Sequence, residues 1–476
     1  MGNVETFVEY NWTVSTGLVL YYPFDGDASN QSNVDNPSNY DGTETTVSYV
    51  GGMKGQALKM DPNETDSKVD LANTSDVMSR AEAYTIALWF REDQVITGTN
   101  PGKFLIDFRS STAGCESYHG ASASLTTCCS GVDGSGTKVL SDCSSVSSTF
   151  MPEGAWHHLI LRYAGTSTTY GDGADIEIYM DGILQTSIPN IDGALVFAGT
   201  QNDLTIGGAT TNYYVDELEI HNRVYTDEEQ CTQLIGGTWD GGGGGCTLPA
   251  PEPMLYYSFD NSTAVNEGGY GSAYDMDATT VNYVTGVSSM GMQFAGTGSV
   301  AATIYDTDLL FGTSDQYTIG LWVYEDSIVN GADLIDYRVH NTSSTNSGGC
   351  ESYHGASGTA ITTCCDGDDV YSDCQTFSFT AGQWHHVLYH YEGTSTNPGE
   401  GGPLLIYVDG VLAATFTNPD SEVIFSAHTL QDMVFGKDSA TFIIDELKVY
   451  NYIFDEPSRC TEVMGGTWTG SACTYP

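Results

Sequence analysis

The chain of 476 residues carries 62 acidic against 14 basic side chains, a formal net charge of −48. A surface this negative repels polyanions, which excludes nucleic acid and anionic membrane as main partners. The acids are scattered among Gly, Ser, Thr and Tyr and form no long run, the pattern of a solvated face that leaves a few carboxylates as candidates for holding a cation.

From the N-terminus, residues 4–14 alternate with period two: Val4, Thr6, Val8, Tyr10, Trp12 and Val14 on one side, Glu5, Phe7, Glu9, Asn11 and Thr13 on the other. This predicts an extra strand within residues 1–16. Residues 17–240 read as short strands between Gly, Asn, Asp and Ser clusters, at residues 18–24, 56–60, 84–90, 103–108, 157–163, 175–180, 204–206 and 213–220. Helical periodicity is nearly absent, with one short turn expected within residues 224–234. A cysteine-bearing tail runs to residue 246. Glycines followed by prolines over residues 241–253 predict a linker, and a second domain fills residues 254–476.

The second domain repeats the first. Cys115-Glu116-Ser117-Tyr118-His119-Gly120-Ala121-Ser122 recurs unchanged at residues 350–357, followed each time by Thr-Thr-Cys-Cys, one further cysteine and Trp-His-His. Two homologous domains of about 230 residues follow, each long enough for one sandwich core. Residues 4–14 have no counterpart ahead of the second domain.

Twelve cysteines divide six and six between the repeats, the arithmetic of a disulfide framework and an oxidising compartment, so an extracellular or cell-surface location is expected. Residues 1–30 hold no basic start followed by an apolar run, and no stretch reaches the roughly 20 apolar residues of a membrane helix. A secretion leader is therefore expected to lie outside the numbered chain. Cys231 is expected to bond Cys246, and Cys460 to bond Cys473. Cys115, Cys128, Cys129 and Cys143 are expected to staple a long loop, as are Cys350, Cys364, Cys365 and Cys374. Adjacent cysteines do not bond each other readily, which leaves two connectivities open: 115 with 128 and 129 with 143, or 115 with 129 and 128 with 143. Zinc, which thiolates and imidazole suit, is the weaker reading because the spacing is not that of a zinc knuckle.

Several motifs resemble the laminin-G-like, concanavalin-A-like jelly rolls of the lectin/glucanase superfamily. They are Leu20-Tyr21-Tyr22-Pro23-Phe24-Asp25-Gly26, Gly55-Gln56-Ala57-Leu58-Lys59-Met60, Ile86-Ala87-Leu88-Trp89-Phe90, Gly154-Ala155-Trp156-His157-His158, Ile178-Tyr179-Met180-Asp181-Gly182 and Val215-Asp216-Glu217-Leu218-Glu219-Ile220, most of them repeated in the second half. Together with the many short strands, the resemblance implies an all-β chain of two tandem antiparallel jelly-roll β-sandwiches, stapled by disulfides. The Cys-Glu-Ser-Tyr-His-Gly segment is not part of the family pattern.

Such folds bind glycans, mediate adhesion, assist enzymes and, more rarely, cleave sugars, so function must come from the sites. Jelly-roll endoglucanases carry alternating acids on one strand. The nearest segment is Asp175-Ile176-Glu177-Ile178-Tyr179, whose counterpart Pro403-Leu404-Leu405-Ile406-Tyr407 has no acid, so no enzymatic activity is expected. His157 and His158, like His385 and His386, are neighbours on a strand and point to opposite faces, which disfavours a shared ligand. Tyr118 and His119, with Tyr353 and His354, are expected to form a ligand-binding loop, because exposed aromatics stack on sugar faces. By the resemblance a calcium ion would join first and last strands, at Asp25 with Asp216 and at Asp260 with Asp445. The expectation is a secreted, non-catalytic glycan-binding or adhesion protein, its partner a glycan or a cell-surface or matrix protein. The alternatives are a filament or surface-layer subunit that forms a homopolymer through strand exchange of residues 4–14, and a glycoside hydrolase for which no acid pair is found.

Overall fold

The structure is a computed structural model that describes residues 17–475 except residues 35, 62, 65, 79–82, 93–103, 111–113, 120–123, 133–137, 152–153, 166–173, 190–201, 209–211, 242–244, 279–280, 295–301, 308–309, 311–315, 327–331, 338–348, 355–359, 366–373, 379, 394–401, 418–431 and 437–440. The chain divides into two compact units, Met1–Pro251 and Glu252–Pro476. The strand expected over residues 4–14 lies outside the described residues.

In the first unit the described strands are β1 (Leu18–Tyr22), β2 (Gly42–Thr45), β3 (Val47–Gly51), β4 (Gln56–Met60), β5 (Ser67–Leu71), β6 (Tyr84–Glu92), β7 (Phe104–Asp107), β8 (Gly114–His119), β9 (Leu125–Val132), β10 (Lys138–Val146), β11 (Trp156–Tyr163), β12 (Ile176–Met180), β13 (Ile183–Ile188), β14 (Thr205–Gly208), β15 (Tyr213–His221), β16 (Thr238–Trp239) and β17 (Cys246–Thr247). One sheet runs β13-β12-β11-β6-β15-β4-β3, with β1 also on β15. The other runs β10-β9-β8-β7-β14-β5-β2, all antiparallel. Leu20, Tyr22, Leu58, Val69, Leu88, Leu105, Ile106 and Ile206 fill the space between them. Every residue of β6 is buried, because one face meets the core and the other is covered. Part of that cover is the chain after β15, whose Arg223 carbonyl accepts a 2.8 Å hydrogen bond from the Thr85 hydroxyl.

The second unit repeats the plan with β18 (Leu255–Tyr257), β19 (Val281–Thr285), β20 (Met290–Phe294), β21 (Ala302–Ile304), β22 (Tyr317–Tyr324), β23 (Asp333–Asp336), β24 (Cys350–His354), β25 (Ile361–Cys365), β26 (Cys374–Phe377), β27 (Trp384–Tyr391), β28 (Leu404–Val408), β29 (Val411–Phe416), β30 (Met433–Phe435), β31 (Ile443–Tyr450), β32 (Thr467–Trp468) and β33 (Cys473–Thr474). Its sheets run β19-β20-β31-β22-β27-β28-β29, with β18 on β31, and β21-β30-β23-β24-β25-β26. Here the chain after β31 lies so close to β22 that a Cβ on Gly320 would stand 2.4 Å from Val463.

The sandwich expected from the sequence is therefore present twice, and the eight strands read in the first domain all form. Two expectations need correction. Residues 241–253 are not linker throughout, because Cys246–Thr247 pairs with Thr238–Trp239 as a small hairpin pinned by the Cys231–Cys246 disulfide. The Cys-Glu-Ser-Tyr-His block is not a stapled loop but a strand, β8 and again β24, each paired with the strand that carries the double cysteine.

That pairing decides the connectivity. Neighbours on a strand point to opposite faces of the sheet, so the bonds of Cys128 and Cys129 lie on different faces, and the cross-strand register selects each partner. Cys115 stands opposite Cys129, and Cys143 opposite Cys128, with Cα separations of 4.1 Å in both pairs. The second unit bonds Cys350 to Cys365 and Cys364 to Cys374 in the same manner, and Cys460 to Cys473 in its tail. Replacing Cys128 by Ser is expected to release one thiol, which alkylation and mass mapping should locate at Cys143; recovery of the label at Cys115 would mean the other connectivity.

Candidate functional site

The last strand of each sandwich changes partners midway. Along one edge β15 pairs with β4 at Tyr214 and Val215, then with β1 from Leu218 to His221. Between these stretches its register against β6 slips, and Glu217 takes a left-handed φ of 49°. Such a bulge turns peptide N–H groups out of the ladder. Asp216 is fully buried there, and its carboxylate accepts from the N–H of Lys54 at 2.9 Å and of Glu217 at 2.8 Å. In the second unit Asp445 accepts from Val287, Ser288 and Glu446 at 2.8, 3.0 and 2.9 Å.

Asp25 and Asp260 approach from the end of the first strand. The preceding Phe24 and Phe259 hold φ of 59° and 58°, costly for bulky residues and sustained by their burial in the core. Asp25 accepts from the Gln56 N–H at 2.7 Å, and Asp260 from the Met290 N–H at 3.1 Å. The hairpin loops close on these carboxylates through glycine: a Cβ on Gly52 would lie 2.4 Å from Asp216, one on Gly55 2.1 Å from Asp25, and one on Gly286 2.2 Å from Asp445. Tyr21 donates to Glu217 at 2.9 Å, and Tyr256 to Glu446 at 3.0 Å.

So many buried carboxylates disfavour one another's ionisation. Burial, then the Glu217 charge, raises the Asp216 carboxyl well above the usual range. Burial pushes Glu217 and Asp445 up to about 7. The donor set is all oxygen, and a carboxylate oxygen that accepts one N–H keeps a lone pair, so the residues fit a hard cation such as calcium. The two sites differ in their charged neighbours, among them Glu219 beside Glu217 where Lys448 stands beside Glu446. Lys54 Nζ lies 3.7 Å from Glu217 in the first, whereas Ser288 holds the corresponding place in the second.

The cystine block does different work from that expected of it. Alternation along β8 sets Cys115, Ser117 and His119 on one face and Glu116 and Tyr118 on the other, where Glu116 is buried and Tyr118 half-buried. His119 and His354 are therefore not ligand-binding groups on a loop. They are buried and pair with Glu92 and Glu325, at the ends of strands in the opposite sheet, 2.6 Å from His354 to Glu325. Each histidine ties the two sheets together. Tyr118 and Tyr353 remain half-buried, each hydroxyl 3.7 Å from the sulfur of a cystine, at Cys128 and Cys364. Phe104 meets Tyr118 edge-on at 6.4 Å. In the Trp-His-His segments, His157 and His385 bind Asp181 and Asp409 at 2.8 and 2.6 Å, while burial holds His158 and His386 down to about 3.

Among the described residues, the three metal-capable groups whose ligand atoms lie within 4.8 Å of one another are Asp333, Asp336 and Glu351. Their counterparts are Phe104, Asp107 and Glu116, and there Arg109 pairs with Glu116 at 2.5 Å. Glu92, Glu217 and their equivalents Glu325 and Glu446 are not among the site residues that the sequence motifs mark. The signal available was their identity in both repeats, outside the quoted cysteine motif.

A family model described as the concanavalin A-like lectin/glucanases superfamily matches residues 63–229 and 295–457. Among solved structures, domain 4 of AbnA, an extracellular GH43 arabinanase from Geobacillus stearothermophilus, in complex with arabinotriose, is 17% identical over 43% of this chain and 95% of that one, with a TM-score of 0.32. The binding domain of Paraclostridial Mosquitocidal Protein 1 is 11% identical over 85% and 92%, with a TM-score of 0.37. The receptor-binding domain of botulinum neurotoxin C/D mosaic serotype is 10% identical over 93% and 98%, also at 0.37. No curated protein matches the chain.

A carboxyl group whose folded pKa is raised gives its full stability below the unfolded value and loses it as pH rises through the folded one. For Asp445 that window runs from the ordinary 3.8 to about 7. In cation-free buffer the melting temperature of the wild type is expected to fall across this range relative to Asp445→Asn, whose amide does not titrate. Parallel melting profiles of the two proteins would show that the buried charge costs nothing.

Proposed function

Because the chain belongs to the concanavalin A-like lectin/glucanases superfamily over both of its repeats, we propose that it is a non-catalytic extracellular carbohydrate-binding protein, with calcium held at the bulge carboxylates of each domain. The observation that carries this is the family match across residues 63–229 and 295–457, which takes in most of both sandwiches.

Three features support it. Tyr118 and Tyr353 stand half-buried on one sheet in each unit, where a ring whose hydroxyl meets a cystine sulfur can take the apolar face of a sugar at little entropic cost. Glu177, on the strand most like that of an endoglucanase, is bound to Arg162 at 2.6 Å, which ties its carboxylate into an ion pair. Six disulfides engage all twelve cysteines, as an oxidising compartment allows. No helix among the described residues is long and apolar enough to cross a membrane.

The calcium would be held by Asp25, Asp216 and Glu217 in the first domain and by Asp260, Asp445 and Glu446 in the second. When bound it would neutralise carboxylates that otherwise repel one another. A lysine neighbours the cluster in both domains, Lys54 on the hairpin of the first and Lys448 on the last strand of the second.

A glycan array probed with the intact chain in calcium is expected to show binding to at least one glycan class. Tyr118→Ala combined with Tyr353→Ala should weaken that binding about tenfold, roughly 1.4 kcal/mol. An array without signal at micromolar protein, in calcium, would overturn the carbohydrate-binding assignment.

A further inference from the structure

The second unit contains a cavity of about 300 Å³ under its cystine tail, and neither the bulge carboxylates nor Tyr353 line it. Its walls include Tyr407, Trp468 and Tyr475, with Arg459 and Glu456 from the short helical segment and Asp409 from the β28–β29 turn. The Cys460–Cys473 disulfide fixes the tail that carries Trp468, and the Tyr475 hydroxyl donates to the Asp409 carbonyl. The cavity is therefore built by rigid elements. At that volume it lies at the small end of ligand pockets, the size of a single ring.

The guanidinium in its wall is placed with care. Arg459 lies over the Tyr407 ring at 4.3 Å and donates to the Phe454 carbonyl at 3.0 Å. In the first unit the equivalent tyrosine, Tyr179, also carries a guanidinium at 4.5 Å, and that group donates at 2.7 Å to the carbonyl of Tyr225, the equivalent of Phe454. Yet there it belongs to Arg162, which comes from β11 and not from the tail. The counterparts of Arg162 and Arg459 are His390 and Gln230. Both repeats thus hold an arginine on the same ring and the same carbonyl from different points in the chain. The first of them is neutralised, by Glu177 at 2.6 Å and Asp227 at 3.3 Å. In the second unit Leu405 stands in place of Glu177, and among the described residues Arg459 makes no close ion pair, its charge acting at longer range on Glu392.

We propose that this cavity is a binding site for one pyranose ring of a saccharide, separate from the tyrosine faces. The apolar face of the sugar meets the Trp468 and Tyr475 rings, Arg459 donates to a hydroxyl or carboxylate oxygen, and Glu456 accepts from a hydroxyl at the rim. The proposal rests on the carbohydrate-binding reading and adds a site to it. In the first unit the arginine is already occupied by acids, so the pyranose site belongs to the second.

Saturation-transfer NMR on the intact chain tests this with the methyl glycosides of glucose, galactose, N-acetylglucosamine and glucuronic acid. At least one is expected to receive saturation, reduced fivefold or more in Arg459→Gln and in Trp468→Ala and retained in the Tyr118→Ala, Tyr353→Ala protein. Preference for the glucuronide would assign the Arg459 partner as a carboxylate, and preference for a neutral glycoside as a hydroxyl. Should Trp468→Ala fail to fold, Arg459→Gln still decides, since it installs the residue that the first unit carries at position 230. Transfer unchanged in Arg459→Gln would overturn the pocket while leaving glycan binding in place elsewhere. No transfer to any of the four from wild type would overturn the pocket as well, and array binding by the same protein would then show that the broader assignment survives it.

Discussion

Each sandwich is closed by one buried aspartate where its last strand passes from one partner to another. Strands β1 and β4 share an edge of β15, and neither is long enough to cover it alone. The bulge between them would leave peptide N–H groups without acceptors, at about 1–3 kcal/mol for each buried group. Asp216 accepts the bulge N–H of Glu217 together with the hairpin N–H of Lys54, and Asp445 accepts that of Glu446 together with those of Val287 and Ser288. The hairpin loops that supply the donors share little sequence, Gly52-Met53-Lys54-Gly55 against Gly286-Val287-Ser288-Ser289. Backbone geometry is what the two have in common, with positive φ at Gly55 and at Ser289.

The same arrangement makes a cation useful. A carboxylate that must be buried to satisfy the bulge carries a charge that burial disfavours, and the neighbouring Glu217 or Glu446 adds to the cost. A divalent ion at the surface side of the cluster would relieve both. Stability and ligand binding are then linked through the same oxygens. The tails do for the outer face of the larger sheet what the bulge does for its edge: they cover it, and each is held by a disulfide in place of an extensive core.

Much of the fold was legible because its central strands carry strong signals. Tyr84–Glu92 and Trp156–Tyr163 are apolar, β-branched and aromatic, and both form nearly where the sequence places them. The strands β8, β9 and β10 were not legible. They are rich in Ser, Thr and Cys, and what holds them is cross-strand pairing that no periodicity reveals: two cystines, and hydroxyl contacts such as Ser117 with Thr127 at 2.9 Å. For the same reason Cys115 to His119 passed for a loop, and His119 for a surface group. The aspartates at 25, 216, 260 and 445 could be named from family motifs, but their peptide partners could not, because those lie on hairpins up to 162 residues away in sequence. The swapped arginines at 162 and 459 lay beyond sequence comparison altogether, since alignment of the repeats sets each against a different residue.

Calorimetric titration of calcium into the intact, chelator-treated chain bears most directly on the link between the bulge and a cation. Two sites are expected, one lost in Asp445→Ala and the other in Asp216→Ala, each variant keeping the remaining site. Heats indistinguishable from dilution in the wild type, or two sites that survive both substitutions, would contradict it.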